Sequence, residues 1–234
     1  MPPLRSTPVL ALAGLAWALM AGAALAHGVA DKDAAFIQAH PGPQVLAFLY
    51  LGAKHMVTGY DHLAFLVGVV FFLHRLRQVA LYVTLFSIGH SITLLAGVLL
   101  SLQADAFLVD ALIGLSVVYK AFDNLDGFRT LAGRRPDPRA MVAGFGLIHG
   151  LGLATKLQAL ELSSDGLAVN LVSFNVGVEL GQLLALSVIL AAMTLWRRTV
   201  SFGRLAAAAN VALMAVGFLL MGYQLAGYAL GGAS

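Results

Sequence analysis

The chain has 234 residues, of which 60% are apolar and only 11% charged, against about 25% charged in an average soluble domain. A mean hydropathy of +0.88 and repeated apolar runs near bilayer-crossing length exclude a soluble enzyme, a disordered tail and a disulfide scaffold. There is no cysteine, so any metal bound here must take imidazole, carboxylate, neutral oxygen or thioether ligands. The net charge of +3 lies in short connections between apolar runs, which assigns it to membrane orientation and not to nucleic acid.

Residues 1–26 contain Arg5, an apolar stretch from about Pro8 to Ala23, and Ala24-Leu25-Ala26. This pattern reads as a secretory signal peptide cleaved before His27. Cleavage would leave an α-amine and an imidazole on one residue, a pair able to chelate a divalent ion, although some residue must follow any cleavage site. Residues 27–43 form a polar extracytoplasmic segment in which His40, beside Pro41, is given no role.

In the remaining domain, residues 44–234, apolar segments recur at 44–73, 78–101, 106–122, 140–157, 167–195 and 205–230. They predict an all-α fold, a polytopic membrane helical bundle of six transmembrane helices. Basic residues cluster after the first segment (Arg75, Arg77), the third (Arg129, Arg134, Arg135, Arg139) and the fifth (Arg197, Arg198, Arg204). The positive-inside rule places those connections in the cytoplasm of a bacterial-type inner membrane and both mature termini outside it. His74 belongs to a basic turn, and Lys120, Asp123 and Asn124 read as interface anchors. Asp110 is expected near the outer surface and solvated. Gly146 with Gly150, and Gly177 with Gly181, give small-residue faces for close helix packing.

The first segment is 30 residues long, about 45 Å as helix, more than an untilted crossing needs. Either Gln44 to Val57 lies partly in the outer interface, or the helix tilts and Lys54 snorkels outward.

An ionisable group at the centre of a membrane helix costs about 2.5–3.5 kcal/mol on insertion scales, so such groups face partners or a cavity and mark function. His55, Asp61 and His62 lie in the first segment, His90 in the second, His149 in the fourth and Glu179 in the fifth. Together they form a candidate metal site. His55 and His62 are seven residues apart and share a helix face, but are separated by about 10.5 Å of rise. One ion can take both only if the helix breaks, for which Gly59 is available; otherwise they mark successive stations on a path. Ser87 and Ser91 beside His90, and Asn175 and Gln182 flanking Glu179, are expected to support those ligands from behind.

Two short echoes, Gly52-Ala53-Lys54-His55 with Gly146-Leu147-Ile148-His149 and the Phe86 stretch with the Phe174 stretch, suggest a 3+3 inverted repeat, an arrangement used by transporters with a midplane site. Imidazole and carboxylate without thiolate suit nickel, cobalt, zinc or iron(II). No G-x-x-x-x-G-K-[ST] occurs, so the chain carries no P-loop ATPase of its own.

GAKHMVTGYDHLAFL, with its His55-x5-Asp61-His62 spacing, resembles the first-helix signature of the HupE/UreJ family, membrane proteins associated with hydrogenase and urease maturation. FSIGHSITLL, GFGLIHGLG and FNVGVELGQ resemble further blocks of its second branch. The resemblance implies a nickel or nickel and cobalt permease, with the bilayer and the metal ion as its partners and His55, Asp61 and His62 handling the metal. The chain departs from the F-H-G-x-A-H-G-x-E pattern of the better-studied branch: Ile148-His149-Gly150-Leu151-Gly152 offers one histidine and no glutamate. Glu179 on the next helix is the substitute available. The alternative is an intramembrane zinc hydrolase, with His62, His90 and His149 holding the ion and Asp61 or Glu179 as general base. A third class, a metal-sensing or assembly subunit, is disfavoured by the short connections.

Overall fold

The structure is a computed structural model that describes residues 37–38, 41–159 and 163–231; the signal peptide expected over residues 1–26, His27 and His40 lie outside them. The described residues form eight helices and no strand: α1 (Val45–Thr58), α2 (Tyr60–Val70), α3 (Leu76–Leu99), α4 (Ala106–Asn124), α5 (Gly127–Ala132), α6 (Pro138–Gln158), α7 (Leu167–Arg197) and α8 (Val200–Gly231). Four of these, α3, α6, α7 and α8, are long and apolar enough to cross a membrane. The 19-residue α4 carries Asp110, Lys120 and Asp123, and the first predicted segment is two shorter apolar helices instead of one span.

Local chemistry sets several of these boundaries. The Asp105 carboxylate accepts the Leu108 amide at 3.0 Å and starts α4. The Asp137 carboxylate accepts the Arg139 amide at 2.9 Å, with Pro138 at the first position of α6. Both satisfy amides that a helix start otherwise leaves without a partner. The interruption between α1 and α2 falls at Gly59, whose backbone is extended (φ −72°, ψ 99°) and whose amide closes α1 onto the His55 carbonyl at 2.8 Å. Lys54 is helical, and its Nζ lies 5.9 Å from the Tyr50 ring centroid, one turn toward the outer end of α1 predicted from the sequence.

Three helix pairs build the bundle, and glycines let their backbones touch. On α1 and α7, a Cβ added to Gly52 would stand 2.0 Å from the Phe174 carbonyl oxygen, and one on Gly177 would stand 2.0 Å from that of Leu49. On α3 and α6, a Cβ on Gly146 would meet the Phe86 carbonyl oxygen at 2.3 Å, and one on Gly89 that of Ala143 at 2.6 Å. In both pairs the contacts advance together along the two chains, so the helices run parallel. In the third pair, Gly114 of α4 abuts Met221 of α8 while Gly217 of α8 abuts Val118 of α4, an antiparallel crossing. Lipid tails supply no hydrophobic force between helices, so this close backbone approach is what holds the pairs together.

One end of the bundle is tied by polar groups. Asn124 Nδ2 donates to the Gly68 carbonyl at 2.8 Å and to Asn210 Oδ1 at 2.9 Å. The Arg197 guanidinium donates to the carbonyls of Val70 and Phe71. Together these side chains take up carbonyls that the end of α2 would leave without partners. Lys120 Nζ meets Asp123 at 2.6 Å, and Arg135 meets the same carboxylate at 2.8 Å and Asp126 at 2.9 Å. The anchors expected from the sequence are thus a network joining α4 to the connection before α6.

A side chain forced between α3 and α6 must separate the two backbones. Gly146→Leu is expected to lower stability by about 1–3 kcal/mol, the usual cost of overpacking. Gly144→Leu, at a position with nothing within 4 Å, should leave the unfolding midpoint of the detergent-solubilised protein unchanged.

Candidate functional site

The break at Gly59 settles where two histidines can go. His55 lies in the last turn of α1 and His62 in the first turn of α2, and their ring centroids are 5.2 Å apart. On an unbroken helix they would be separated by about 10.5 Å of axial rise alone. Gly59 is also needed for space, since a Cβ there would lie 3.0 Å from the His55 carbonyl oxygen, 3.1 Å from His62 Nδ1 and 3.2 Å from Asp61 Oδ1.

His62 is the hub of the cluster. Its ring centroid is 4.8 Å from that of His149 on α6 and 6.1 Å from that of His90 on α3. His62, His90 and His149 are buried, at 3%, 2% and 0% exposure, while His55 and Asp61 are half-buried. His55 and Asp61 are thus the least buried members of the cluster. Aromatic rings pack around it: Phe65 and Phe86 lie 5.2 and 5.0 Å from His149, and Phe174 lies 6.3 Å from His55.

Hydrogen bonds fix which ring nitrogen carries the proton in two of the four rings. His149 Nδ1 is 2.9 Å from the Phe145 carbonyl, which can only accept, so Nδ1 bears the hydrogen and Nε2 presents a lone pair. His62 Nδ1 donates likewise to the Asp61 carboxylate at 2.9 Å, and the same oxygen accepts the His62 amide at 2.8 Å. A histidine holding its tautomer through a carboxylate or carbonyl is the usual supporting arrangement behind a metal-binding imidazole. The Nε2 atoms of His55, His62, His90 and His149 are all buried without a hydrogen-bond partner. Each buried polar atom left unpaired costs about 1–3 kcal/mol, so four in one cluster mark a place where a polar partner, water or an ion, is accommodated. Among the described residues, no three His, Asp or Glu side chains are arranged to hold a metal ion as they stand. Side-chain rotation within the cluster is needed for three nitrogens to meet at one point.

The remaining expected residues fall elsewhere. Ser87 donates to Gln182 Oε1 at 3.1 Å, and Ser91 exchanges hydrogen bonds with Asn175 at 2.9 and 3.1 Å. These four side chains pair with one another and join α3 to α7. Glu179, between them on α7, is exposed and stands outside the ring contacts of the histidine cluster.

One charged pair was not associated with the site from spacing. Asp110, expected to be solvated, is buried at 9% exposure and bound to Lys156 of α6 at 3.0 Å. A carboxylate inside an apolar segment needs a cationic partner, and Lys156 is the lysine at the end of the 140–157 apolar segment; that requirement was the signal in the sequence.

A family model described as HupE / UreJ protein matches residues 31–231. No curated protein and no solved structure matches the chain. Removing the Asp61 charge while keeping its shape releases the His62 tautomer without opening the bundle. Asp61→Asn is therefore expected to lower divalent-metal affinity about 10–100-fold, measured by calorimetric titration of the purified protein, with an unchanged unfolding midpoint.

Proposed function

Since the chain belongs to the HupE/UreJ family and is a multi-pass membrane protein, we propose that it is a permease for a divalent transition metal, nickel or cobalt, which it passes through the histidine cluster. The observation that carries this reading is the helix break at Gly59, which gathers His55 and His62 beside His90 and His149 with all four Nε2 atoms unpartnered. Discontinuous helices are used by transporters to present ion ligands near the membrane midplane. A resident structural or catalytic ion would be served by ligands already converged at one point. Imidazoles that must turn to close on the ion suit a cargo bound and then released.

Six membrane crossings, counting α1 with α2 as one and α4 as another, fit the parallel and antiparallel pairings. Two three-helix halves fit them as well. Exchanging the first half for the second turns the α1–α7 pair into the α6–α3 pair and returns the α4–α8 pair to itself. The glycine contacts follow the same exchange, with Gly52 against Phe174 matching Gly146 against Phe86. An odd number of crossings per half makes the repeat inverted, with the histidine cluster between the halves. The basic connections then face the cytoplasm and the α6–α7 connection faces outward. Glu179 is proposed as a further metal-handling group, an exposed carboxylate on the α7 flank. The hydrolase alternative finds no support in the family match, and Ser87 and Ser91 are committed to amides of α7.

Cells producing the protein are expected to accumulate radiolabelled nickel or cobalt. His62→Ala should reduce uptake to background at an unchanged protein level, because it removes the hub of the cluster. Uptake unaffected by this substitution would contradict the reading.

A further inference from the structure

Above the histidine cluster, toward the α6–α7 connection, lies a second buried polar group. Lys156 is seven residues beyond His149 on α6, two turns along the same face and about 10.5 Å away in rise. Its Nζ is 3.0 and 3.1 Å from the two Asp110 oxygens, and Gln224 of α8 donates to Asp110 at 3.5 Å. Gly152, one turn before Lys156, lets α6 approach α4 there: a Cβ on it would stand 2.9 Å from Ile113 and 3.5 Å from Asp110 Oδ1. Three helices thus converge on one carboxylate, and that carboxylate holds the ammonium. The His149 ring on that face lies 4.8 Å from that of His62, which holds Asp61 at 2.9 Å, so the ammonium is rooted two turns from the metal-handling groups while bound to none of them.

We infer that Lys156 is a tethered cation competing with the metal for the Asp61 end of the cluster, and that Asp110 is the positioning residue that holds it aside. This rests on the permease reading given above. A lysine ammonium is a compact charge on a flexible four-carbon stem, so it can change partners without movement of the α6 backbone. Held on Asp110, the ammonium is neutralised and the cluster presents the Asp61 charge to an incoming dication. Swung toward Asp61, it repels the dication and fills its electrostatic place. The pair would set how tightly the site holds its cargo and help to expel it.

A simple structural pin makes a different prediction, because removing either partner of a buried ion pair leaves the other uncompensated and weakens the protein. The test is calorimetric titration of the full-length protein in detergent with nickel(II) chloride. Asp110→Asn, which frees the ammonium, is expected to weaken nickel binding at least about tenfold, since an uncompensated positive charge then stands near the site of the dication. Asp110→Glu keeps the charge and should retain wild-type affinity. The decisive variant is the double substitution Asp110→Asn with Lys156→Gln, which leaves two neutral amides in place of two charges. It should regain wild-type affinity or exceed it. Affinity in the double variant no better than in Asp110→Asn, or unchanged affinity in Asp110→Asn, would overturn the inference. Wild-type protein that binds no nickel would instead overturn the permease reading, and this inference with it.

Discussion

Four imidazole nitrogens with no hydrogen-bond partner, buried together between helices, are the constraint around which this molecule is arranged. In water an unpaired Nε2 costs nothing, but in an apolar interior it is an unmet demand that folding normally avoids. The chain accepts that demand four times within one cluster. In two of the rings it also spends a hydrogen bond to direct the lone pair inward, through Asp61 behind His62 and the Phe145 carbonyl behind His149. A protein selected for stability alone would place leucine or phenylalanine at these positions, as it does in the surrounding Phe65, Phe86 and Phe174.

The rest of the bundle serves the placement of those rings. A helix break within an apolar bundle, such as that at Gly59, leaves backbone groups where lipid cannot solvate them, which is tolerated only inside protein or beside a cavity. The broken helix is accordingly secured at both ends. Asn170 holds its beginning, accepting the Gln44 amide at 2.6 Å and donating to the Gly42 carbonyl at 2.9 Å. Asn124 and Arg197 hold its end. Between these fixed points the glycine contacts on α7 and α6 set how closely the histidine-bearing helices approach. A change of one methyl group at such a contact is transmitted to the site as a displacement of a whole helix, since close-packed interiors do not absorb it locally.

Much of this was legible in the sequence because membrane helices announce themselves by length and because charged residues within them are rare. The helix positions follow the apolar segments closely, and the histidines stand out against an apolar background. Gly59 was recognisable as a place where a break could occur, but spacing alone left a break and a two-station path equally open. Only packing against α3 and α6 decides between them. Asp110 was misjudged because its place near one end of an apolar segment suggested water. Its partner Lys156 comes from a helix whose approach depends on Gly152, a tertiary fact that no periodicity encodes. The serines and amides beside His90 and Glu179 were expected to support those two residues; they pair with one another instead, across an antiparallel crossing of α3 and α7 that single-helix patterns do not carry.

The central claim is that the unpartnered imidazole nitrogens exist to ligate a metal in transit. X-ray absorption at the nickel edge, recorded on the purified protein loaded with one equivalent of nickel, addresses it directly. The account predicts the multiple-scattering signature of two or more imidazole ligands, reduced in His149→Ala. A spectrum of oxygen ligands alone, unchanged by that substitution, would contradict it.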